Sequence, residues 1–468
     1  MKKTKIICSI GPASCSVEVM SKMVEAGMNV ARINFSHATI EERVNVVNSV
    51  NKVREITGKN IGILYDTKGP EFRCGMHEND SIILEEGKSI RLVKETVLGT
   101  TERFSVNHAA AINSLKVGSV VLLENGLMTL VVTSVEEDGV SCIIKSGGEL
   151  GNKKSMSVPG IKLDIPFISE LDKEDILYAA THEGDFLALS FVSCKEDVLA
   201  VRQLLKENNA EGILLISKIE SQTGIDNLDE IIEVSDGIMV ARGDLGVEVP
   251  APKLPYYQRY MVKKCRENGK IAIVATEMLE SMKKNIRPTR AEISDVANAV
   301  MNGTDAVMLS GETTTGNFPV ETVTHMADIC KTTEQYFDYD KAIGESNESN
   351  VTNAICGGAV YAANSLNAKV IVSTSLSGAS TRAVSNLLPK SFVLANVTSQ
   401  DIANKLALNY AVYPKVVSHF DSTDKIVEKA LEEAKEFMNL KTDDVVVITG
   451  GFPMENLKNV NFMKIEVI

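Results

Sequence analysis

Among its 468 residues the chain has no run approaching the roughly 20 apolar residues of a membrane span, so no membrane association is expected. Lys2-Lys3 before Ile6-Ile7-Cys8 imitates a secretory signal only faintly, because Gly11-Pro12 ends the apolar run too soon. The eight cysteines are scattered and form no Cys-x-x-Cys pair, which fits buried thiols in a reducing cytosol and a cytoplasmic protein. There is no Gly-x-x-x-x-Gly-Lys-Ser/Thr loop and no Gly-x-Gly-x-x-Gly opening a helix, so a nucleotide would be held unconventionally. An excess of positive charge is missing too. The net charge of −13 argues against non-specific nucleic-acid binding and leaves room for a local basic site that takes an anion. No clear internal repeat or low-complexity tract is present.

What the chain does have is a recurring pattern: a short run of Ile, Val, Leu and Ala stops at a charged or hydroxyl-bearing cluster. The runs are Asn29-Val-Ala-Arg-Ile-Asn-Phe-Ser36, Ile61-Gly-Ile-Leu-Tyr-Asp-Thr67, Ile213-Leu-Leu-Ile-Ser-Lys-Ile-Glu220, Gly237-Ile-Met-Val-Ala-Arg-Gly-Asp244, Ile271-Ala-Ile-Val-Ala-Thr276 and Ala306-Val-Met-Leu-Ser310. Buried parallel strands read as continuous apolar runs, and the chemistry of an α/β fold gathers at their carboxyl ends. Strand starts fall near residues 5, 29, 61, 186, 212, 237, 271 and 305, with helical segments between most of them. In the first such segment Ser16 reads as a cap, Val17, Met20 and Val24 share a face, and Gly27 stops the helix. Eight such units predict a (β/α)8 TIM barrel. A doubly wound open sheet is the rival, and the near-regular spacing favours closure.

Between about Gly69 and Pro166 the pattern changes to short alternating strands punctuated by Gly87, Gly118, Gly126 and Gly139. This predicts a small β domain inserted after the third barrel strand. Asp338 to Asn350 is polar and reads as a linker, beyond which helix and strand alternate again. A chain of this length, with an ordinary hydrophobic fraction of 44%, accommodates two to four domains. The expected division is a barrel of residues 1–69 and 167–337, an inserted β domain of 70–166, and a C-terminal α/β domain of 351–468.

Alternation along a strand places Arg32, Asn34 and Ser36 on one face, and Lys218 with Glu220 on another. In a closed barrel these faces converge on its mouth. The inventory is cationic (Arg32, Arg73, Lys218) and carboxylate (Asp66, Glu220, Asp244), with several hydroxyls. No adjacent His or Cys ligands are present, which argues against zinc, and oxygen-only donors suit Mg²⁺ or Mn²⁺. Cations beside a carboxylate-held divalent metal are the equipment of phosphoryl transfer.

Eight motifs, in order, carry a resemblance to one family: Lys5-Ile-Ile-Cys-Ser-Ile-Gly-Pro-Ala-Ser14, Asn29-Val-Ala-Arg-Ile-Asn-Phe-Ser-His37, Asp66-Thr-Lys-Gly-Pro-Glu71, Ser217-Lys-Ile-Glu220, Met239-Val-Ala-Arg-Gly-Asp-Leu-Gly246, Ala275-Thr-Glu-Met-Leu-Glu-Ser281, Arg287-Pro-Thr-Arg-Ala-Glu292 and Leu309-Ser-Gly-Glu-Thr313. Together they resemble pyruvate kinase. The resemblance implies a catalytic barrel, a mobile β-barrel lid inserted after the third strand, a C-terminal α/β regulatory domain and a homotetramer. It implies phosphoryl transfer from phosphoenolpyruvate to ADP, giving enolpyruvate, then pyruvate and ATP. On the matching positions, Lys218 would neutralise charge on the phosphoryl group in flight, and Glu220 with Asp244 would hold Mg²⁺ or Mn²⁺. The amides of Gly243 and Asp244, with Thr276, would bind the substrate carboxylate, and Thr276 and Ser310 would assist enolate protonation. Arg32 and Arg73 would clamp phosphate groups, while Asn34, Ser36, Asp66 and Thr67 would bind K⁺. Asn34, His37, Arg73 and Lys154 would meet the nucleotide.

Several positions depart from the family pattern. Glu277 replaces the usual Gln, Thr315 a frequent Lys, and Ser155 and Ser157 stand where Gly and Asn are common. The position of Glu71 commonly holds Glu or Lys, and Lys there looks able to replace the charge of K⁺, so Glu71 implies K⁺ dependence. Ser375-Leu-Ser-Gly-Ala-Ser380 resembles an effector-phosphate loop, with Ser375, Ser377, Gly378 and Ser380 as its contacts. The final loop, Thr449 to Asn456, lacks the Trp and Arg that grip a sugar bisphosphate in animal enzymes. A sugar monophosphate or AMP, or a vestigial site, fits better. Arg290 and the histidines at 77, 108, 182, 325 and 419 read as structural or exposed, and the many methionines as core filler. A mutase or aldolase relative acting on phosphoenolpyruvate explains neither the lid nor the K⁺ set. A catalytically silent, effector-binding homologue conflicts with the presence of Lys218, Glu220, Asp244, Arg73 and Thr276.

Overall fold

The computed structural model describes residues 1–339, 350–418, 422–451 and 460–468. His419, most of the linker and most of the final loop lie outside the described residues. Eight parallel strands close into a barrel, in the spatial order Lys5–Ser9, Ala306–Leu309, Ile271–Ala275, Gly237–Ala241, Leu214–Ile219, Phe186–Leu189, Gly62–Asp66 and Val30–Asn34. Each begins within two residues of its expected start. The pleat sends alternate side chains to opposite faces. Ile7, Leu64, Phe186, Ile216, Met239, Ile273 and Met308 fill the barrel interior, while their neighbours Ile6, Ile63, Leu187, Leu215, Ile238, Ala272 and Val307 pack against the surrounding helices.

The first helix, Val17–Ala26, shows how locally this is encoded. Ser16 accepts a bond from the Val19 amide, Met20, Met23 and Val24 are buried, and Gly27 ends the helix at φ 132°. That backbone angle favours glycine.

Between the third and fourth barrel strands, eight short strands pair as a six-stranded sheet and a two-stranded sheet. They share one apolar core that includes Leu92, Phe104, Val121, Leu130 and Cys142. The small barrel expected here is thus assembled from two sheets rather than one continuous ring. Arg103–Ser105, Gly148–Gly151 and Met156–Ser157 are strands too short to show a period in the sequence.

Residues 370–467 contain a five-stranded sheet in the order Val412–Val416, Phe392–Val397, Val370–Ser375, Val445–Gly450, Phe462–Val467. The last strand is antiparallel and was not expected from the sequence. This unit closes the amino end of the barrel. Ala407 and Leu408 join the interior cluster, the Tyr410 amide donates to Asp305 Oδ1 (3.1 Å), and the Ala411 amide to the Lys3 carbonyl (2.9 Å). The carboxyl ends of the strands face the inserted sheets across a shared cleft. Among the described residues, no helix is long and apolar enough to cross a membrane.

Candidate active site

The strand ends meet around one largely enclosed lysine. Lys218 Nζ lies 3.1 Å from Asp66 Oδ1, 3.1 Å from Glu220 Oε1 and 2.7 Å from Ser190 Oγ. Arg32 Nε donates to the other Asp66 oxygen at 2.7 Å, and its Nη1 to Ser9 Oγ at 2.7 Å. The Phe191 amide donates to Glu220 Oε2 at 2.6 Å. The second, third and fifth strands thus supply one alternating row of charges, and the fourth adds the Ser190 hydroxyl and the Phe191 amide.

Burial alone would push the Asp66 carboxyl up, but Arg32 and Lys218 outweigh it and hold the group below its ordinary range. Burial disfavours the Lys218 ammonium, yet Asp66 and Glu220 more than offset this, and its pKa is raised. Lys218 therefore stays charged. Burial drives Glu220 up to about 7 against the pull of Lys218, and the charge of Asp244 pushes the same way. Asp244 is itself raised, mainly by burial.

A cleft of about 430 Å³ separates this row from the inserted sheets; Phe191, Glu220 and Asp244 line one side, and Arg73, Glu124 and Lys154 the other. Arg73 is tied to Glu71 and donates Nη1–H to the Lys153 carbonyl (2.9 Å), and Lys154 Nζ meets Glu124 Oε1 at 2.5 Å. Ser155 pairs its backbone with Arg73 across an isolated bridge.

Thr276 adopts φ +69° and Glu277 φ +52°, a left-handed pair just past the seventh strand. Such angles cost about 1–3 kcal/mol each and are an outlier for a β-branched residue. Arg242 holds the turn: it donates to the Thr276 carbonyl (2.7 Å) and is anchored by both oxygens of Asp295 (2.7 and 2.6 Å). The Gly243 amide donates to Thr276 Oγ1 (2.8 Å), so Thr276 occupies the donor expected to meet a substrate carboxylate. Ser310 directly follows the eighth strand, and its amide donates to Glu312 Oε2 (2.8 Å).

The four residues expected around K⁺ retain accepting capacity. Asn34 Oδ1 accepts from the Ser36 amide (3.0 Å), the Thr67 carbonyl from Ser190 Oγ (2.7 Å), and Asp66 Oδ2 from Arg32. Carbonyl and carboxylate oxygens can accept more than one partner. Ser36 and His37 are exposed on the loop after the second strand, and neither lines the cleft with Lys154. The effector candidates lie apart, in the C-terminal sheet. Gly378 (φ +78°) precedes the helix Ala379–Asn386, Ser377 is exposed, and Ser375 and Ser380 are buried. His77 is buried with its ring edge-on to Phe104, and His182 stacks on Tyr178, as structural residues do.

Sequence reasoning passed over Ser9, Ser190, Phe191 and Arg242. Ser190 Oγ accepts from Lys218 and directs its one proton between the Thr67 carbonyl (2.7 Å) and Asp66 Oδ1 (3.2 Å), which makes it the hub of the row. Its signal was the same one the other strands gave: a hydroxyl directly after the apolar run Phe186–Leu189.

Comparison with known proteins bears on this arrangement. The family model for the barrel domain of pyruvate kinase matches residues 1–323, and that for its alpha/beta domain residues 353–466. A pyruvate kinase of Geobacillus stearothermophilus is 42% identical, covering 100% of this chain and 80% of its own length. One from Clostridium acetobutylicum is 40% identical over 100% of both chains. A crystal structure of a pyruvate kinase from Cryptosporidium parvum superposes with a TM-score of 0.95 at 36% identity, covering 100% of this chain and 96% of that one.

Proposed function

The chain belongs to the pyruvate kinase family, and from that premise we propose how its own residues carry the reaction. It is a phosphotransferase of glycolysis that moves the phosphoryl group of phosphoenolpyruvate to ADP, giving pyruvate and ATP. The observation that carries the assignment of roles is the triangle of Asp66, Ser190 and Glu220 around Lys218. Held from several sides, this ammonium cannot swing away, so its charge is in place before the phosphoryl group detaches. Preorganised charge of this kind acts chiefly on the transition state.

The family's reaction uses a divalent metal and K⁺. Glu220 and Asp244 are the hard-oxygen donors suited to Mg²⁺ or Mn²⁺; among the described residues no third carboxylate, His or Cys completes a cage, which leaves positions for substrate oxygens and water. When bound, the divalent ion supplies positive charge against the oxygens of the enolate and the phosphoryl group. Asn34, Ser36, Asp66 and Thr67 are assigned to K⁺. Arg32 and Arg73 are assigned to phosphate groups, and Asn34, His37 and Lys154 to the nucleotide. A substrate carboxylate would take over the Gly243 amide from Thr276 Oγ1, and the Thr276 hydroxyl, whose proton now rests on the Ala275 carbonyl (2.6 Å), would turn from it to serve, with Ser310, in protonating the enolate.

The working parts are a catalytic barrel (residues 1–69 and 167–337), a lid (70–166) and a regulatory unit (351–468) in a homotetramer. Ser375, Ser377, Gly378 and Ser380 are assigned to the phosphate of a sugar monophosphate or AMP. A coupled assay of pyruvate formation, with and without ADP, tests the reading. ADP-dependent pyruvate supports it; no pyruvate, or the same amount without ADP, contradicts it.

A further inference from the structure

We propose that Arg43 and Asp175 are positioning residues for the loop that carries Ser36 and His37. The inference rests on the assignment of that loop to K⁺ and nucleotide. Arg43 is the fourth residue of the helix Ile40–Thr57, where it points inward and is 8% exposed. Its Nε–H donates to the Ala38 carbonyl (3.0 Å) and its Nη2–H to the Phe35 carbonyl (3.3 Å). These carbonyls bracket Ser36 and His37, whose own side chains are exposed and so gain no place from packing. The guanidinium also lies 4.2 Å from the centre of the Phe35 ring, which stacks on Tyr65 at 5.0 Å. One planar fork therefore fixes both ends of a two-residue segment, a task that a lysine ammonium cannot reproduce.

The third arm of the fork is Nη1, which meets Asp175 Oδ1 at 2.6 Å, with both side chains nearly buried. Asp175 belongs to the helix Glu170–Thr181, the first element after the inserted segment. One turn earlier, Asp172 Oδ1 accepts from the Gly69 amide (3.0 Å), where the chain leaves the barrel for the lid. Gly69 has φ +71°, and a Cβ there would come within 2.8 Å of the Ser190 carbonyl. A single helix thus holds both the lid exit and, through Arg43, the cation loop. Groups that orient ligands from behind commonly change metal affinity by 10- to 100-fold when removed.

The test uses the full chain with Mg²⁺ present, as wild type, Arg43→Gln, Arg43→Lys and Asp175→Asn. K⁺ is titrated against tetramethylammonium at matched ionic strength, reading the K⁺-dependent rise in thermal midpoint and the half-saturating K⁺ for turnover. Amide exchange is followed at His37 and Ala38, whose N–H groups donate to the Asn34 carbonyl (3.2 and 3.0 Å). Arg43→Gln should raise half-saturating K⁺ by roughly 10- to 100-fold and speed exchange at both amides, with Arg43→Lys only partly restoring them. Unchanged exchange together with unchanged half-saturation would overturn the proposal. Should Arg43→Gln fail to fold, Asp175→Asn, which keeps the guanidinium, makes the same comparison. If wild type itself ignores K⁺ in both readouts, the cation assignment fails, and exchange at His37 and Ala38 still decides whether Arg43 holds the loop.

Discussion

Arg73 and Glu71 grip each other through two parallel contacts, Nε to Oε2 at 2.9 Å and Nη2 to Oε1 at 2.8 Å. Burial would raise the Glu71 carboxyl, but Arg73 and Lys68 override it and hold the group below its ordinary range. Glu71 is therefore not the unanswered negative charge that the sequence alone implies. Replacing it by Lys would release Arg73 and crowd cations at the cleft. We expect wild-type activity to be low in K⁺-free tetramethylammonium buffer and restored by K⁺ at matched ionic strength. Glu71→Lys should show a weaker dependence and a lower kcat. Full wild-type activity without K⁺ contradicts both statements.

Thr276→Val removes the oxygen that accepts from the Gly243 amide and the hydroxyl assigned to enolate protonation. Deuterium incorporation into the pyruvate methyl group should fall by about 100-fold, the lower end of what a positioned proton donor contributes. Metal and phosphate binding should change little. Equal, small losses in exchange and in phosphoryl transfer would leave Thr276 a binding residue only.

Ser377 is exposed beside Gly378, at the start of the helix Ala379–Asn386. If the loop takes a phosphate, a sugar monophosphate or AMP should shift half-saturation by phosphoenolpyruvate by about 5- to 150-fold. Ser377→Asp should abolish the shift by charge repulsion without altering kcat. A panel of phosphorylated metabolites with no effect on the saturation curve would make the loop purely structural.

Asp305 joins the barrel base to the C-terminal unit by accepting from the Ala272 and Tyr410 amides. Burial pushes its carboxyl up to about 6. A folded-state pKa above the unfolded value means that folding takes up a proton, so this group's contribution is present at low pH and is lost as pH rises through about 6. Asp305→Asn leaves one backbone donor without its acceptor and should cost about 1–3 kcal/mol. The wild-type advantage in thermal midpoint over this variant should grow as pH falls from 7 toward 4, and a flat or shrinking difference would refute the assigned shift.

How far the sequence carried the reading depended on period and on partners. The barrel strands were legible because a buried parallel strand is a continuous apolar run, and Lys218, Glu220 and Asp244 stand where such runs stop. Phe462–Val467 was missed because it is an edge strand with exposed Met463, Ile465 and Val467, which gives no buried face to read. Ser190 was missed although its strand ends like the others. Its importance comes from partners at the ends of two other strands, Asp66 and Thr67 after the third and Lys218 in the fifth, which only the closed barrel brings together. The pairing of Glu71 with Arg73, and of Arg43 with Asp175, was likewise invisible, since which charge answers which is settled by tertiary geometry.

The central claim is that Lys218 stabilises the phosphoryl group in transit rather than binding the substrate at rest. Steady-state kinetics of purified Lys218→Met, with folding verified by its thermal midpoint, tests it most directly. A kcat lower by roughly 10³-fold with KM for phosphoenolpyruvate little changed is the result expected for loss of one preorganised electrostatic stabiliser. Near-normal turnover in the folded variant would contradict the assignment.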